Sequence, residues 1–423
     1  MNTNAIEALP EDGKGTSHSR WFQLAIGLVC MMAISSPQYV WTLFTKPLTA
    51  ALGVQLSQLQ ITFSILIVLQ TFMSPFQGSL IDRFGPRLMI GLGALLTGAS
   101  WVLASQATSI AGIYLTYGLL GGIGTGAVYV GVVGLVVKWF PKNRGFAAGT
   151  VAAGYGMGAM LTTLPINASL ASRGYGDTLL IYGAAFGVIG LIAAQFLRAP
   201  PSTTGVLDAS EGSLASDLGP AQMLRSPIFW LMFVMMTLMS TSGLMVTSQM
   251  AAFSRDFGVA NLIVLGTAAL PLALTVDRFA NGLTRPFFGY VSDRIGRENT
   301  MAIAFLLEGL AMTAWLLLRS DPYLFVILSG LVFFGWGEIF SLFPSTLTDT
   351  FGIRHATANY GCLYIAQGIG SILGGPLAAL LREQTGSWIP VFALAIAADL
   401  LTAVLAIAVL KRMRASFLLR RAS

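Results

Sequence analysis

Apolar residues along this chain fall into long runs separated by short polar breaks. A membrane-crossing helix needs about 20 predominantly apolar residues. Twelve such runs are legible, over 21–45, 58–80, 88–106, 110–137, 145–168, 178–198, 228–250, 262–290, 299–318, 322–345, 357–381 and 388–410. The break at 199–227 is of a different kind. It holds Pro200, Pro201, Ser202, Gly205, Asp208, Glu211 and Asp217, the composition of a polar linker. The pattern therefore divides the chain into an N-terminal tail (1–20), a six-helix bundle (21–198), a linker (199–227), a second six-helix bundle (228–411) and a basic tail (412–423). The first apolar run is too long for a signal-peptide core and is expected to remain as the first span.

The two bundles repeat each other. Residues 74–85 read SPFQGSLIDRFG and residues 285–296 read RPFFGYVSDRIG, with six of twelve positions identical at an offset of 211, half of the 423-residue length. At that offset Gly124 and Gly126 match Gly335 and Gly337, Tyr129 matches Phe340, and Gln38 matches Gln249. One residue of drift brings Gly149, Gly156 and Gly158 onto Gly361, Gly368 and Gly370. Halves repeated in parallel orientation face each other across a cavity near the bilayer midplane and rock about it. The expected fold class is an all-α membrane protein of twelve transmembrane helices in two pseudo-symmetric six-helix bundles.

The repeat fails where Ser74 faces Arg285. A scaffold position survives in both halves. An arginine at the centre of a membrane helix costs about 2.5–3.5 kcal/mol on insertion scales. Arg285 therefore needs either a structural partner, such as Asp277 or Glu338, or a ligand. As a ligand site, its guanidinium is a fork for two carboxylate oxygens.

Composition supports the membrane assignment. Only 10% of residues are charged, against about 25% in soluble domains, while 55% are hydrophobic and mean hydropathy is +0.74. Lipid must cover most of such a surface. Of the 24 Lys and Arg residues, 17 lie in the even-numbered connections, the linker and the tails, and 5 in the odd-numbered connections. The positive-inside rule then places both termini and the linker in the cytoplasm and the chain in the cytoplasmic (inner) membrane. Scattered basic residues form no nucleic-acid stripe, despite a pI near 9.4. Cys30 and Cys362 lie in apolar runs, so neither a disulfide framework nor a cysteine metal site is expected. His18 and His355 have no metal-ligand company. GGIGTG at 121–126 lacks a surrounding βαβ unit and reads as close helix packing. No Walker A lysine motif is present, so neither a nucleotide nor a cofactor is expected.

The pattern G-x-x-x-D-R-x-G-x-R at 78–87, and its counterpart at 289–297, resembles the loop signature of the major facilitator superfamily. The resemblance covers the whole chain. Gly85 and Gly296 permit a sharp turn, Asp82 and Asp293 suit the positive end of a neighbouring helix, and Arg83, Arg87, Arg294 and Arg297 hold the loop. These charged residues are the expected gating set.

A narrower resemblance lies in PQYVWTLF (37–44), KWFPKNRGFAAG (138–149), AAGYGMG (152–158), NGLTRPFFGYVSDRIGR (281–297), LFPS (342–345) and NYG (359–361). Together these are similar to the oxalate:formate antiporter family, a relative of monocarboxylate transporters. The resemblance implies a small dicarboxylate held between an arginine of helix eight, here Arg285, and a lysine of helix eleven. It also implies a surrounding box, here Gln38, Tyr39, Tyr129, Trp336 and Tyr364. The chain departs from that pattern. The lysine position is Gln367, a helix-ten tyrosine is Phe340, a helix-two glutamine is Ile67, and Glu338 stands where a well-known member has glycine.

Helical spacing adds detail. Arg278, Asn281 and Arg285 share nearly one stripe, and Arg278 lies roughly 10 Å along the axis from Arg285. Asp277 either neutralises Arg278 near the helix end or leaves Arg278 to replace the missing lysine. Glu338 either pairs with Arg285 in the empty site or binds a coupling proton; Asp277 is the other candidate for that role. Glu308 and Asp399 are expected to be packing residues. No nucleophile–base set, soluble signalling domain or channel-lining ring is visible, so an enzyme, a receptor and a channel are disfavoured. The expected function is secondary transport of small organic carboxylates by alternating access, as oxalate:formate-type antiport. The alternative is proton-coupled symport of a monocarboxylate such as formate or lactate. Expected partners are small carboxylate anions, protons under the alternative, and the lipid bilayer.

Overall fold

A computed structural model describes residues 13–200 and 217–422. Residues 1–12 of the predicted tail, 201–216 of the predicted linker, and Ser423 lie outside the described residues. Nearly all the rest is helical, because lipid offers backbone amides no partner and each span must satisfy its own.

Nine helices among the described residues are long and apolar enough to cross a bilayer, and the pair Gln58–Phe72 and Ser74–Phe84, bent by 48°, makes a tenth. Two further observations complete the twelve. Helical bonding continues over Arg144–Gln195, but Gly174 within it adopts φ 81°, ψ 176°. Ser169 Oγ lies 2.9 Å from Thr178 Oγ1, whereas nine residues of straight helix would hold them about 13 Å apart. The chain therefore reverses at Gly174 into α5 (144–173) and α6 (175–195). The segment Ala269–Ile295 (α8) carries Asp277, Arg278, Arg285, Asp293 and Arg294, too much charge for hydropathy alone to mark it as a span.

The first bundle begins with α1 (Gly13–Ala33, continuing as Ser36–Tyr39 and Trp41–Leu52) and α2 (Leu56–Phe72 and Ser74–Phe84). It continues with α3 (Pro86–Ala104) and α4 (Ile110–Ile113, a π-helical Tyr114–Leu120, then Gly121–Trp139), and ends with α5 and α6. The second bundle holds α7 (Pro227–Asp256), α8, α9 (Arg297–Leu317), α10 (Pro322–Trp336 and Ile339–Phe351), α11 (Ala356–Ile372, Leu373–Leu377 and Ala378–Thr385) and α12 (Ile389–Leu405, Ala406–Leu410 and Lys411–Ala422). The eighth span starts at 269 rather than 262. Ile263–Val264 (β1) and Thr267–Ala268 (β2) form a small hairpin, turned through Leu265 and Gly266 at positive φ. The apolar stretch there is a strand pair, not a helical turn.

The bundles meet at two equivalent backbone contacts. A Cβ on Gly78 of α2 would fall 2.5 Å from the Thr357 carbonyl oxygen of α11, and one on Gly361 would strike the Ser74 carbonyl. The mirror contact joins α8 and α5: Gly289 lies against the Gly145 carbonyl, and Gly149 against the carbonyl of Arg285. Gly78/Gly289 and Gly149/Gly361 are repeat partners, so one contact has been used twice.

Charges lock the same face. Asp293 accepts bonds from the amides of Gly145 (3.1 Å) and Phe146 (2.9 Å) at the start of α5. Asp82 accepts one from Ala358 (3.0 Å) at the start of α11. Each aspartate thus sits on the positive end of a helix in the opposite bundle. Asp82 also pairs with Lys138 at 2.6 Å, and Asp293 with Arg297 at 2.6 Å. Asp349 gathers Arg144 from the other bundle together with Arg297. Arg87 donates to Gln195 at 3.0 Å. Arg83 and Arg294 lie instead over the rings of Phe84 and Tyr290. The turns after Asp82 and Asp293 use Gly85 and Gly296 at φ 90° and 93°.

Gly289→Val should open this face by pushing α8 off α5. With spin labels on the exposed residues Lys142 and Arg294, the inter-label distance distribution is expected to shift longer. An unchanged distribution would refute the role given to the glycine contact.

Candidate functional site

A cavity of ≈ 70 Å³ lies between the bundles, on the side of Arg285 away from the signature loops. That is far below the roughly 300–1,000 Å³ of pockets for drug-sized ligands, so it suits a compact occupant. Helix α8 supplies Asp277, Arg278, Asn281 and Arg285. Gln38 and Tyr39 come from α1, Tyr129 from α4, Trp336 and Phe340 from α10, and Tyr364 and Gln367 from α11. All eight residues that the sequence placed at the substrate site line this one space. Glu338 is not on its wall.

Arg285 is 2% exposed. One terminal nitrogen donates to the Ala152 carbonyl of α5 at 2.6 Å, and the other to Asn281 Oδ1 at 2.7 Å. Asn281 lies one turn earlier on the same helix, so it orients the fork without neutralising it. The guanidinium carbon stands 4.5 Å from the centroid of Phe340, a cation–π contact. Nε has no partner. No carboxylate forms an ion pair with Arg285 among the described residues. The expected structural bridge to Asp277 or Glu338 is therefore absent.

The expected Asp277–Arg278 pair is absent too. Both oxygens of Asp277 lack hydrogen-bond partners, and Arg278 lies 5.0 Å over the ring of Tyr39 in the other bundle. Adjacent residues on a helix diverge by about 100°, which carries the two side chains to different neighbours.

The wall opposite Arg285 is an aromatic network. Tyr129 and Tyr364 stack with centroids 4.9 Å apart and planes 12° apart. Tyr155 donates to Gln38 Oε1 at 2.7 Å, and Gln70 Nε2 donates to Tyr364 Oη at 3.1 Å. The hydroxyl of Tyr129 has no partner. Trp336 donates through Nε1 to the Met239 carbonyl of α7 at 2.9 Å, its ring lying against Gly243. Gln367 is buried with Oε1 unpaired. Sequence reasoning missed Tyr155 and Gln70. Tyr155 stands inside AAGYGMG, where a tyrosine flanked by glycines was the available signal. Gln70 lies one turn beyond Ile67, the position where a helix-two glutamine was sought.

Two bundles that enclose a central cavity beside a buried cation are the architecture of a membrane transporter. Comparison with known proteins makes this specific. The Major Facilitator Superfamily model matches residues 24–276 and 268–417. The oxalate:formate antiporter of Oxalobacter formigenes is 31% identical over 409 residues, covering 96% of this chain and 95% of that protein. Monocarboxylate transporter 13 of Bos taurus is 26% identical over 336 residues, covering 78% and 75% of the two chains. The solved proton:xylose symporter XylE bound to 6-bromo-6-deoxy-D-glucose superposes with TM-score 0.69 at 12% identity, over 92% of this chain and 95% of that one; that likeness speaks to the fold. The chain belongs to the major facilitator superfamily and, within it, to the oxalate:formate antiporter family. It is a multi-pass membrane transporter and not an enzyme.

Asp277→Asn tests the missing pair. With no ion pair to lose, the thermal midpoint of the purified protein should stay level or rise. A marked fall would show that Asp277 and Arg278 neutralise each other after all.

Proposed function

We propose that this protein carries small organic carboxylates across the inner membrane by alternating access, as anion antiport of the oxalate:formate type. The observation that carries this reading is Arg285, a buried cation with no carboxylate partner among the described residues, facing a compact aromatic cavity. Two charge-assisted bonds to a carboxylate would complete its coordination in a low-dielectric setting. The stacked rings of Tyr129 and Tyr364 suit a flat acid and exclude water from the pair. Relatives named for oxalate, formate and monocarboxylates support the substrate class. The positive-inside count puts both termini, the linker and the signature loops in the cytoplasm, so the cavity described here faces the periplasm. Asp82, Asp293 and the arginines around them then act as the cytoplasmic gate.

One observation favours proton-coupled monocarboxylate symport as the second reading. Gln367 puts a neutral amide where the family resemblance implies a lysine, which leaves Arg285 without a second cation facing it from α11.

Uptake of radiolabelled oxalate, formate and lactate into proteoliposomes separates the two. Antiport requires internal counter-substrate; symport proceeds without it and is driven by a pH gradient. Arg285→Lys keeps the charge but loses the fork. The loss of one charge-assisted bond, about 1.5–3 kcal/mol, corresponds to roughly 10–100-fold weaker transport. Normal uptake by Arg285→Ala would remove Arg285 from the site. Gln367→Lys is expected to raise preference for dicarboxylates; unchanged selectivity would exclude Gln367. Glu338→Gln should abolish pH dependence under symport and leave exchange intact under antiport.

A further inference from the structure

Away from the cavity, three polar side chains converge inside the second bundle. Ser242 Oγ of α7 lies 3.2 Å from Glu308 Oε1 of α9 and 3.0 Å from Asp399 Oδ2 of α12. Ser242, Glu308, Glu338 and Asp399 are all 0% exposed. Glu308 and Asp399 were expected to be packing residues; the fold brings them to one hydroxyl. Glu308 Oε2, Asp399 Oδ1 and both oxygens of Glu338 have no hydrogen-bond partner. None of the three carboxylates has an ion-pair partner among the described residues.

Glu338 lies near this group, within reach of its charges. Gly335, three residues earlier on α10, backs directly onto Glu308: a Cβ there would fall 2.7 Å from Glu308 Cβ. Gly337 and Glu338 keep right-handed helical dihedrals through the break (φ −63°, ψ −21° and φ −69°, ψ −15°), so Glu338 follows Gly335 toward the α9 side and is absent from the cavity wall. Asp399 of α12 and Arg285 of α8 act electrostatically on Glu338, and Asp399 and Glu338 act on Glu308. Arg285 is already tied to Ala152 and Asn281.

Such an arrangement cannot hold three anions. A hydroxyl has one proton and donates to one acceptor at a time. Two ionised carboxylates bridged by it would repel each other in a medium of low dielectric. A proton on one resolves the geometry. The acid O–H donates to Ser242 Oγ, and the Ser242 O–H donates to the other carboxylate, which uses both observed contacts. A metal ion is a poor alternative, since the described residues contain no group of three His, Cys, Asp or Glu side chains suited to one.

We propose that Glu308, Asp399 and Glu338 form a proton-binding site in the second bundle, separate from the substrate cavity, which loads and releases its proton as α10 moves. The link to the cavity is short. Helix α10 breaks at Gly337–Glu338, between Trp336 and Ile339. Trp336 lines the cavity, bonds Met239 and packs on Gly243, the neighbour of Ser242. A shift of Trp336 thus moves both the Glu338 turn and the Ser242 segment. In the loading step a carboxylate oxygen gains a proton from the aqueous medium, and no other bond changes. The inference is independent of which carboxylate is carried.

Infrared difference spectroscopy of the wild-type protein in lipid, with hydrogen–deuterium exchange, tests the site directly. The C=O stretch of a protonated, deuterium-sensitive carboxyl should persist at neutral pH and titrate away under alkaline conditions. It should weaken in Glu308→Gln and in Asp399→Asn. Absence of the band in the wild type overturns the proposal even if both variants misfold, and so does a band untouched by both substitutions. Release is tested by linkage. With spin labels on Lys142 and Arg294, the closed-to-open ratio should change by roughly five-fold or more between acid and alkaline pH, and this change should vanish in the E308Q/D399N double variant. A ratio independent of pH in the wild type would show a permanent structural proton and sink the coupling.

Discussion

Inside a bilayer, every polar group must find its partner within the protein or in a ligand, because no water is available to supply one. Arg285 meets this constraint only in part. Two of its nitrogens are held by Ala152 and Asn281, and the third is left without an acceptor. Ala152 belongs to the opposite bundle. The bond that steadies the cation therefore also ties α8 to α5 on the closed face, next to the Gly149 and Gly289 contacts. A ligand that draws the guanidinium away from Ala152 would loosen the same interface that shuts the gate. Under the proposed function, binding and closure would share one group, so that a small anion could bias a large movement.

The duplication supplies the machine and the departures from it supply the chemistry. Where the halves agree, they build the same object twice: glycine-mediated backbone contacts, and an aspartate on the amino end of a helix across the interface. Where they differ, the first bundle keeps its polar groups local. Ser74 donates to Gln70 in its own helix, and Thr125 donates to Gly121 in its own helix. Their counterparts Arg285 and Trp336 reach other helices. Lys138 of the first bundle becomes Asp349 in the second, and Asp349 joins Arg297 to Arg144 across the divide. The second bundle thus carries the buried arginine of the cavity, Trp336 and the buried acids.

Several features were legible before any coordinates because they rest on local constraints. Twelve apolar runs, the turn glycines at 85 and 296, and an arginine lacking its mirror partner all follow from what lipid tolerates. Of the eight proposed substrate residues, Arg285 stood out from the repeat, Asn281 came from helical spacing and the rest through resemblance, and the fold gathers them in one cavity. Other features were not legible. The stretch at 263–268 is as apolar as a span yet forms a hairpin, since only the turn at Leu265–Gly266 separates the two outcomes. Asp277 and Arg278 are neighbours in sequence but not partners, because helical geometry sends them apart. Glu338 carries the right chemistry for a cavity residue and faces the other way, a difference of helix rotation that composition does not encode.

From the sequence alone came the number of crossings, the repeat, and a mid-span arginine, Arg285, that the repeat does not explain. These depend on runs of about 20 residues or on a fixed offset, and such order survives in one dimension. The tertiary structure alone decided which polar groups meet. Arg285 finds Ala152 across 133 residues, and Ser242 finds Asp399 across 157. Those meetings depend on how helices rotate and cross when glycines let them touch, and no local pattern records a rotation.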